Sequence, residues 1–438
     1  MTVLIKALQL LLALSLLVFI HELGHFVFAR LFKIRVNKFY LFFDWKFALW
    51  RYKPKKSDTE YGIGWIPLGG YCQIDGMVDE SLATDGLESD PKPWEFRSKP
   101  IWQRFLVMIG GVLFNVILAM LIYGGIAYTW GTDRMPMEVI GDNLQYSSVG
   151  HQMGLKDGDL PLSVDGKELK YFEGSIIQTI ANGKQLTVLR DGEQVELTVP
   201  RDLIPAIIGS DSAFFMLDVP ARVDSVIAGS EGELAGFRPG DLVLAVNGEE
   251  TKGLSKVIPA IHALRGDSIL VTVDRGGALE TIKTYTDEES GIGIAFTSPA
   301  NLFPSEHQSY NFITAIPAGI SEAYKQLFSY ADQLKYVATP QGASSLGGLG
   351  SIGNLFPSSF DWHVFWNMTA FLSIILAVMN LLPIPGLDGG HIIFLIYEAI
   401  VRRPPSLKWQ TRIQTAGMIL LLILILYANI ADIFRFLL

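Results

Sequence analysis

The sequence predicts a polytopic α-helical membrane protein with four transmembrane helices, a membrane-associated β-hairpin region and two small mixed α/β domains. Three observations carry this reading. Four apolar segments are each long enough to cross a bilayer. Between the first two, Val36 to Gly76 is aromatic and glycine-rich, with short apolar runs separated by polar residues, the pattern of strands and tight turns. Between the second and third, one motif occurs twice, 82 residues apart. Composition agrees: 438 residues, 50% hydrophobic and 18% charged, with mean hydropathy +0.32, are too apolar for a soluble chain of this size. The net charge of −9, with no long basic run, argues against a nucleic-acid partner. Cys72 is the single cysteine, so metal ligands must be His and carboxylate.

Residues 1–32 form the first span. Val3 to Ile20 is apolar except for Lys6, Gln9 and Ser15, and no small-residue cleavage site follows it, so it is read as a retained helix rather than a signal peptide. It runs directly into His21-Glu22-Leu23-Gly24-His25. On a helix, His21 and His25 project from one face and converge on one metal ion, with Glu22 beside them as a candidate general base. Interior histidines that merely hydrogen-bond are the alternative. It is a costly one, because each ionisable side chain in a membrane helix costs about 2.5 kcal/mol or more unless it is used or paired.

Residues 33–100 form the hairpin region followed by a polar loop from Asp79 to Lys99, and residues 101–132 the second span, with no charge between Phe105 and Thr132. Residues 133–212 and 213–300 are the two copies of the repeat. Gly154-Leu155-Lys156-Asp157-Gly158-Asp159-Leu160 with Val164-Asp165-Gly166 aligns with Gly236-Phe237-Arg238-Pro239-Gly240-Asp241-Leu242 with Val246-Asn247-Gly248. The Gly-Asp pair makes a turn into a strand, and Asp-Gly or Asn-Gly closes a hairpin. Residues 301–361 hold an amphipathic helix, apolar at Ile320, Tyr324, Leu327, Ala331 and Leu334, and a glycine-serine linker from Gly342 to Gly353. That helix lies either on the outer membrane surface or against the repeat domains. Residues 362–387 are the third span, 388–411 a helix and loop, and 412–438 the fourth span. Basic residues from Arg30 to Lys38 and Arg97 to Arg104, and again from Arg402 to Arg412, place both short connections on the cytoplasmic side, so the repeats face outward.

A catalytic zinc takes three protein ligands and keeps one position open. Asp388 is the best third ligand: it ends a charge-free run, and Pro383 and Pro385 break the helix before it. As a helix N-cap it has an ordinary alternative role, and His391, one turn on, is a rival ligand or a partner of one.

Together these residues resemble the site-2 protease family of intramembrane zinc metalloproteases, and within it the bacterial group of regulator of sigma-E protease type, with two tandem PDZ domains. The resemblance covers essentially the whole chain. It rests on His21-Glu22-Leu23-Gly24-His25, Pro67-Leu68-Gly69-Gly70-Tyr71, Gly111-x-x-x-Asn115, Leu234-Ala235-Gly236-Phe237 in the second repeat, and Asn380-x-x-Pro383-x-Pro385-x-Leu387-Asp388-Gly389.

The resemblance implies a Zn²⁺ enzyme with ligands His21, His25 and Asp388, catalytic Glu22, and substrate positioning by Asn380 and by Gly69 and Gly70 of the hairpin region. It implies single-span membrane substrates of the anti-sigma factor type, trimmed beforehand by an upstream protease, and remnant signal peptides as a further class. It also implies a bacterial inner-membrane location, with PDZ domains on the periplasmic face and the active site opening toward the cytoplasm. Asn115 either lines the site or makes a helix-packing hydrogen bond. A non-enzymatic PDZ scaffold with a structural metal is the rival reading, and it has no use for Glu22.

Overall fold

The computed structural model describes residues 2–77, 90–173, 176–204, 214–251, 253–287, 291–298, 302–337 and 347–437. The chain divides into two compact units: residues 1–131 with 309–438, and residues 132–308.

The first unit contains α1 (Thr2–Leu31), β1 (Val36–Tyr52), β2 (Glu60–Ile74), α2 (Ile101–Trp130), α3 (Phe312–Val337), α4 (Leu349–Asn354), α5 (Trp362–Leu381), α6 (Asp388–Val401) and α7 (Leu407–Leu437). Among the described residues, four helices are long and apolar enough to cross a membrane: α1, α2, α5 and α7. The polar residues that interrupt the first span find partners, as bilayer depth requires: Gln9 donates to the Pro357 carbonyl at 2.9 Å and Ser15 to the Leu11 carbonyl at 2.6 Å. α1 and α2 pack through glycine, since a Cβ on Gly24 would lie 2.2 Å from the Gly110 carbonyl oxygen.

The amphipathic helix α3 belongs to the first unit. It packs against α2 and α5, and a Cβ on Gly319 would lie 2.3 Å from the Gly124 nitrogen. Ala323, Ala370 and Ile374 are buried together there, while Ile313, Ile316, Ile320, Tyr324 and Phe328 stay exposed along another face. Part of the expected glycine-serine linker, 342–346, lies outside the described residues. The rest departs from a linker: α4 is held to α7 by the Asn429 amide oxygen and the Asp432 carboxylate, which accept from the Leu349 and Ser351 backbone amides at 3.2 and 2.8 Å. Residues 79–89 of the expected polar loop are likewise outside the described residues, and the remainder is anchored, with Glu95 and Phe96 buried.

The hairpin region is more elaborate than two simple strands. Phe42 and Lys46 adopt positive φ, and the long β1 bends there. Phe39 consequently pairs with Cys72 on one side and Tyr61 on the other, and Tyr52 pairs with Tyr61. Two strands therefore make a sheet four segments wide, in the order 70–74, 36–41, 60–63, 48–52. Residues 70–74 form an outer edge. Trp45, Phe47, Leu49 and Trp50 are exposed at the bend and beyond it.

The second unit shows the duplication directly. In the first copy Leu144–Tyr146 pairs with Phe215–Leu217, and a four-stranded antiparallel sheet runs 167–168, 160–164, 185–190, 193–198. In the second, Val223–Val226 pairs with Ile294–Phe296, and the sheet runs 249–250, 242–246, 268–275, 278–285. Each copy carries helices at matching places, Ser148–Gln152 and Ile176–Asn182, then Glu231–Ala235 and Leu254–Ala263. The hairpin turns at Asp165-Gly166 and Asn247-Gly248 have positive φ at both positions, as a two-residue turn demands. The expected division at 212/213 shifts, because Phe215–Leu217 completes the first copy by strand pairing. Asp218 then joins the copies, donating its amide to Asn143 and accepting from Gln145 and Ser255. Thr132–Arg134 pairs with Glu306–Gln308 to close the unit.

One ion pair is repeated in both copies. Asp159 accepts from Arg190 at 2.6 Å, and Asp241 from Arg275 at 2.7 Å; each arginine also donates to the carbonyl of the helix-ending glycine, Gly154 or Gly236. The Arg275 guanidinium holds the buried Asp241 carboxyl below the usual carboxylate range. A depressed folded pKa stabilises fully above the unfolded value of about 4 and loses that contribution as pH falls through the lowered value. Asp241→Ala is expected to destabilise this unit by about 2–3 kcal/mol at neutral pH. Limited proteolysis of the detergent-solubilised chain should show the wild type and variant converging below the lowered folded value; an unchanged gap in acid would contradict the assignment.

Candidate metal centre

His21 and His25 lie one turn apart on α1, and their Nε2 atoms approach to 3.2 Å. Both residues are buried. His25 Nδ1 donates 2.8 Å to the Val107 carbonyl of α2, which fixes the tautomer and leaves the Nε2 lone pair facing His21.

Asp388 arrives from the far end of the chain. α5 ends at Leu381 because Pro383 forbids continuation, leaving Leu382 extended as the residue before a proline prefers. The chain then doubles back tightly enough that a Cβ on Gly389 would lie 2.1 Å from the Leu382 carbonyl oxygen, and one on Gly390 2.6 Å from that of Ile384. α6 starts at Asp388 itself. Leu387 stands at the cap position with no side-chain bond, so the Asp388 carboxylate is not spent on capping. Its Oδ2 lies 3.1 Å from His21 Nε2 and 3.4 Å from His25 Nε2.

These three atoms are the only cluster of its kind among the described residues. Zinc bound at about 2.0–2.2 Å to N and O in a tetrahedron separates its ligands by about 3.3 Å. The separations of 3.1 to 3.4 Å match that edge. Asp388 Oδ2 is buried and accepts no hydrogen bond, as a metal-directed oxygen should. The residues fit the ion.

Glu22 lines a cavity of about 540 Å³ together with His21, His25 and Asp388. Met77, Met108 and Met418 give the cavity apolar walls, and Tyr71 and Cys72 of the edge segment border it. Cys72 and Glu22 thus face the same cavity. Gly70 stacks against the Glu22 side chain: a Cβ there would lie 2.9 Å from Val18 Cγ1 and 3.7 Å from Glu22 Cγ. Gly69, at φ 147°, backs onto the Phe43 ring. Asn380 places its Nδ2 3.2 Å from His21 Nε2, at the rim of the ligand triangle. His391 is not part of that triangle. It lines the cavity one turn beyond Asp388 and faces Gln414 Nε2 at 2.8 Å.

The roles of three features escaped the sequence. The Val107 carbonyl carries no sequence signal, since any residue supplies one. Gly111 does have a signal in its spacing to Asn115: a Cβ on it would lie 2.5 Å from His21 Cε1 and 2.6 Å from His25 Nε2, so only glycine leaves room for the imidazoles. The third is a polar group on the cavity wall, where Asp44 accepts from Tyr71 at 2.8 Å and Lys38 at 3.2 Å. Burial pushes Asp44 up, but those hydrogen bonds outweigh it and hold the carboxyl below its usual range.

The chain matches the profile of peptidase family M50, the site-2 proteases, over residues 9–424. It belongs to that family. It is 28% identical to a putative zinc metalloprotease of Vibrio cholerae, with 91% of each chain covered. It is 30% identical to another of that name from Xylella fastidiosa, covering 93% of this chain and 94% of the relative. It is 27% identical to the regulator of sigma E protease of Haemophilus influenzae, covering 97% of both. The chain is therefore a zinc-dependent membrane metalloprotease.

Gly111→Ala forces both imidazoles aside. Purified protein is expected to lose zinc affinity by about tenfold or more, read by metal analysis after dialysis against a weak chelator. Stoichiometric zinc in the variant would show that the imidazoles have room to spare.

Proposed function

We propose that this protein hydrolyses peptide bonds in or near the transmembrane segments of single-span membrane proteins, with His21, His25 and Asp388 holding zinc and Glu22 moving the proton. The observation that carries this is the convergence of three ligand atoms, with a carboxylate beside them, on a cavity inside a bundle of membrane-length helices. Zinc held there supplies a Lewis acid that polarises the scissile carbonyl and acidifies water. Glu22 takes the proton of the attacking water and delivers it to the leaving amine. The Asn380 amide, at the rim of the triangle, donates to the substrate carbonyl. A helical substrate hides its peptide bonds, so it must unwind. Adding it as a strand alongside the edge segment Gly70–Ile74 restores the backbone hydrogen bonds and brings one carbonyl over Glu22.

The two repeats are PDZ domains in this reading, set on the periplasmic face of a bacterial inner membrane by the basic residues of the short connections. They act as a filter that rejects substrates with intact outer domains. The Haemophilus influenzae relative carries the name regulator of sigma E protease, which supports membrane-anchored anti-sigma factors, trimmed beforehand by another protease, as the substrate class. Remnant signal peptides share the same single-span chemistry.

Cleavage of a tagged single-span substrate in matched membranes, with bound zinc quantified, tests the chemistry. Glu22→Gln is expected to keep its zinc and lose at least about 100-fold in rate; equal cleavage would remove Glu22 from the mechanism. Replacing residues 132–308 by a flexible linker is expected to permit cutting of untrimmed substrates. A continued requirement for trimming would put selection elsewhere.

A further inference from the structure

His21 meets two amides, and they serve different nitrogens. Asn380 faces Nε2, the nitrogen that points at Asp388 and His25. Asn115 faces the other one: its Nδ2 lies 3.3 Å from His21 Nδ1. Asn115 is fully buried, one turn beyond Gly111 on α2, and its backbone carbonyl accepts 2.8 Å from the Ser373 hydroxyl of α5. Its Oδ1 is buried and receives no hydrogen bond.

An imidazole that ligates through Nε2 carries its proton on Nδ1, so whatever faces Nδ1 must accept. For His25 the acceptor is the Val107 carbonyl. For His21 it is the Asn115 side chain, provided the amide presents oxygen. The two ends of an amide are nearly isosteric, and a half-turn about its terminal torsion exchanges them. No donor faces the present Oδ1 position, so nothing on that side demands an oxygen.

We propose that Asn115 is the positioning residue of His21, its Oδ1 accepting the Nδ1–H and thereby holding the tautomer that offers a lone pair at Nε2. This rests on the reading of His21 as a zinc ligand. Either an amide or a carboxylate oxygen in this place accepts the Nδ1–H. A leucine there has similar bulk but no acceptor.

The test is zinc affinity of the purified full chain by chelator competition, set beside thermal unfolding of the zinc-free and zinc-loaded protein. Asn115→Leu is expected to lower zinc affinity by about 10- to 100-fold and to lose most of the zinc-dependent rise in Tm, while the zinc-free Tm stays near that of wild type. Asn115→Ala gives the same pattern where leucine disturbs packing. Asn115→Asp, which retains an acceptor, is expected to remain within about threefold of wild type. Wild-type affinity in the Leu and Ala variants overturns the proposal, as does an Asp variant as weak as they are, which would make Asn115 a donor or a spacer. His21→Ala separates the two readings: if it binds zinc like wild type, the metal site itself is misassigned, and if it loses zinc while Asn115→Leu does not, only the role of Asn115 falls.

Discussion

Two imidazoles and two carboxylates inside a helical bundle are the constraint to which the rest of this structure answers. Each of them is costly away from water, and mutual proximity relieves that cost only if the charges are shared. In the proposed function a divalent ion shared by His21, His25 and Asp388 would satisfy all three at once, and it would account for an Asp388 Oδ2 that lies buried between two imidazoles with no hydrogen bond of its own. The surrounding chain is specialised to let three side chains from two distant segments meet. Pro383 stops α5, the glycines after Asp388 let the chain fold beneath α6, and the carboxylate emerges where a continuous helix would have pointed it elsewhere.

α2 supplies the other half of the solution. Gly110 admits the α1 backbone, Gly111 leaves space for both imidazoles, the Val107 carbonyl fixes one of them and Asn115 faces the other. These four positions fall within just over two helical turns, so one face of α2 acts as a template for His21 and His25 of α1. Further along, Gly124 admits α3. In lipid the hydrophobic effect does not drive helices together, so close backbone contact through small residues carries more of the association. The same glycines that join the helices also shape the site.

How much of this was legible follows from the range of each interaction. The i, i+4 spacing of His21 and His25 is local, and a helix fixes it without tertiary information. Asp388 was legible as a lone carboxylate ending an apolar run behind two prolines, though its distance from the histidines was not. The repeat was legible because turn chemistry at Asp165-Gly166 and Asn247-Gly248 is local, whereas its boundary was displaced by Phe215–Leu217, whose pairing with Leu144–Tyr146 spans about 70 residues. α3 shows the limit most clearly. Its periodicity defines an apolar face but does not name what covers it, and only the Gly319–Gly124 approach assigns it to α2. The Tyr71–Asp44–Lys38 group was invisible for a related reason: β1 bends at Phe42 and Lys46, and strand alternation carries no notice of a bend.

The sheet beside Glu22 gains its meaning from that bend. Had β1 and β2 formed a plain two-stranded ribbon, residues 70–74 would be backed by 36–41 alone. Because the ribbon folds back on itself, 36–41 is backed in turn by 60–63. Tyr40, Tyr71 and Phe43 stack across this layer. A rigid edge matters in the proposed reaction, since the carbonyl under attack must be held within a few tenths of an ångström of the catalytic groups while the rest of the substrate remains anchored in lipid. Gly70 of that edge lies against Glu22, since a Cβ on it would come 3.7 Å from Glu22 Cγ, so the edge adjoins the base proposed above. Substrate alignment and proton transfer are then set by one piece of backbone, and any displacement of the edge displaces both.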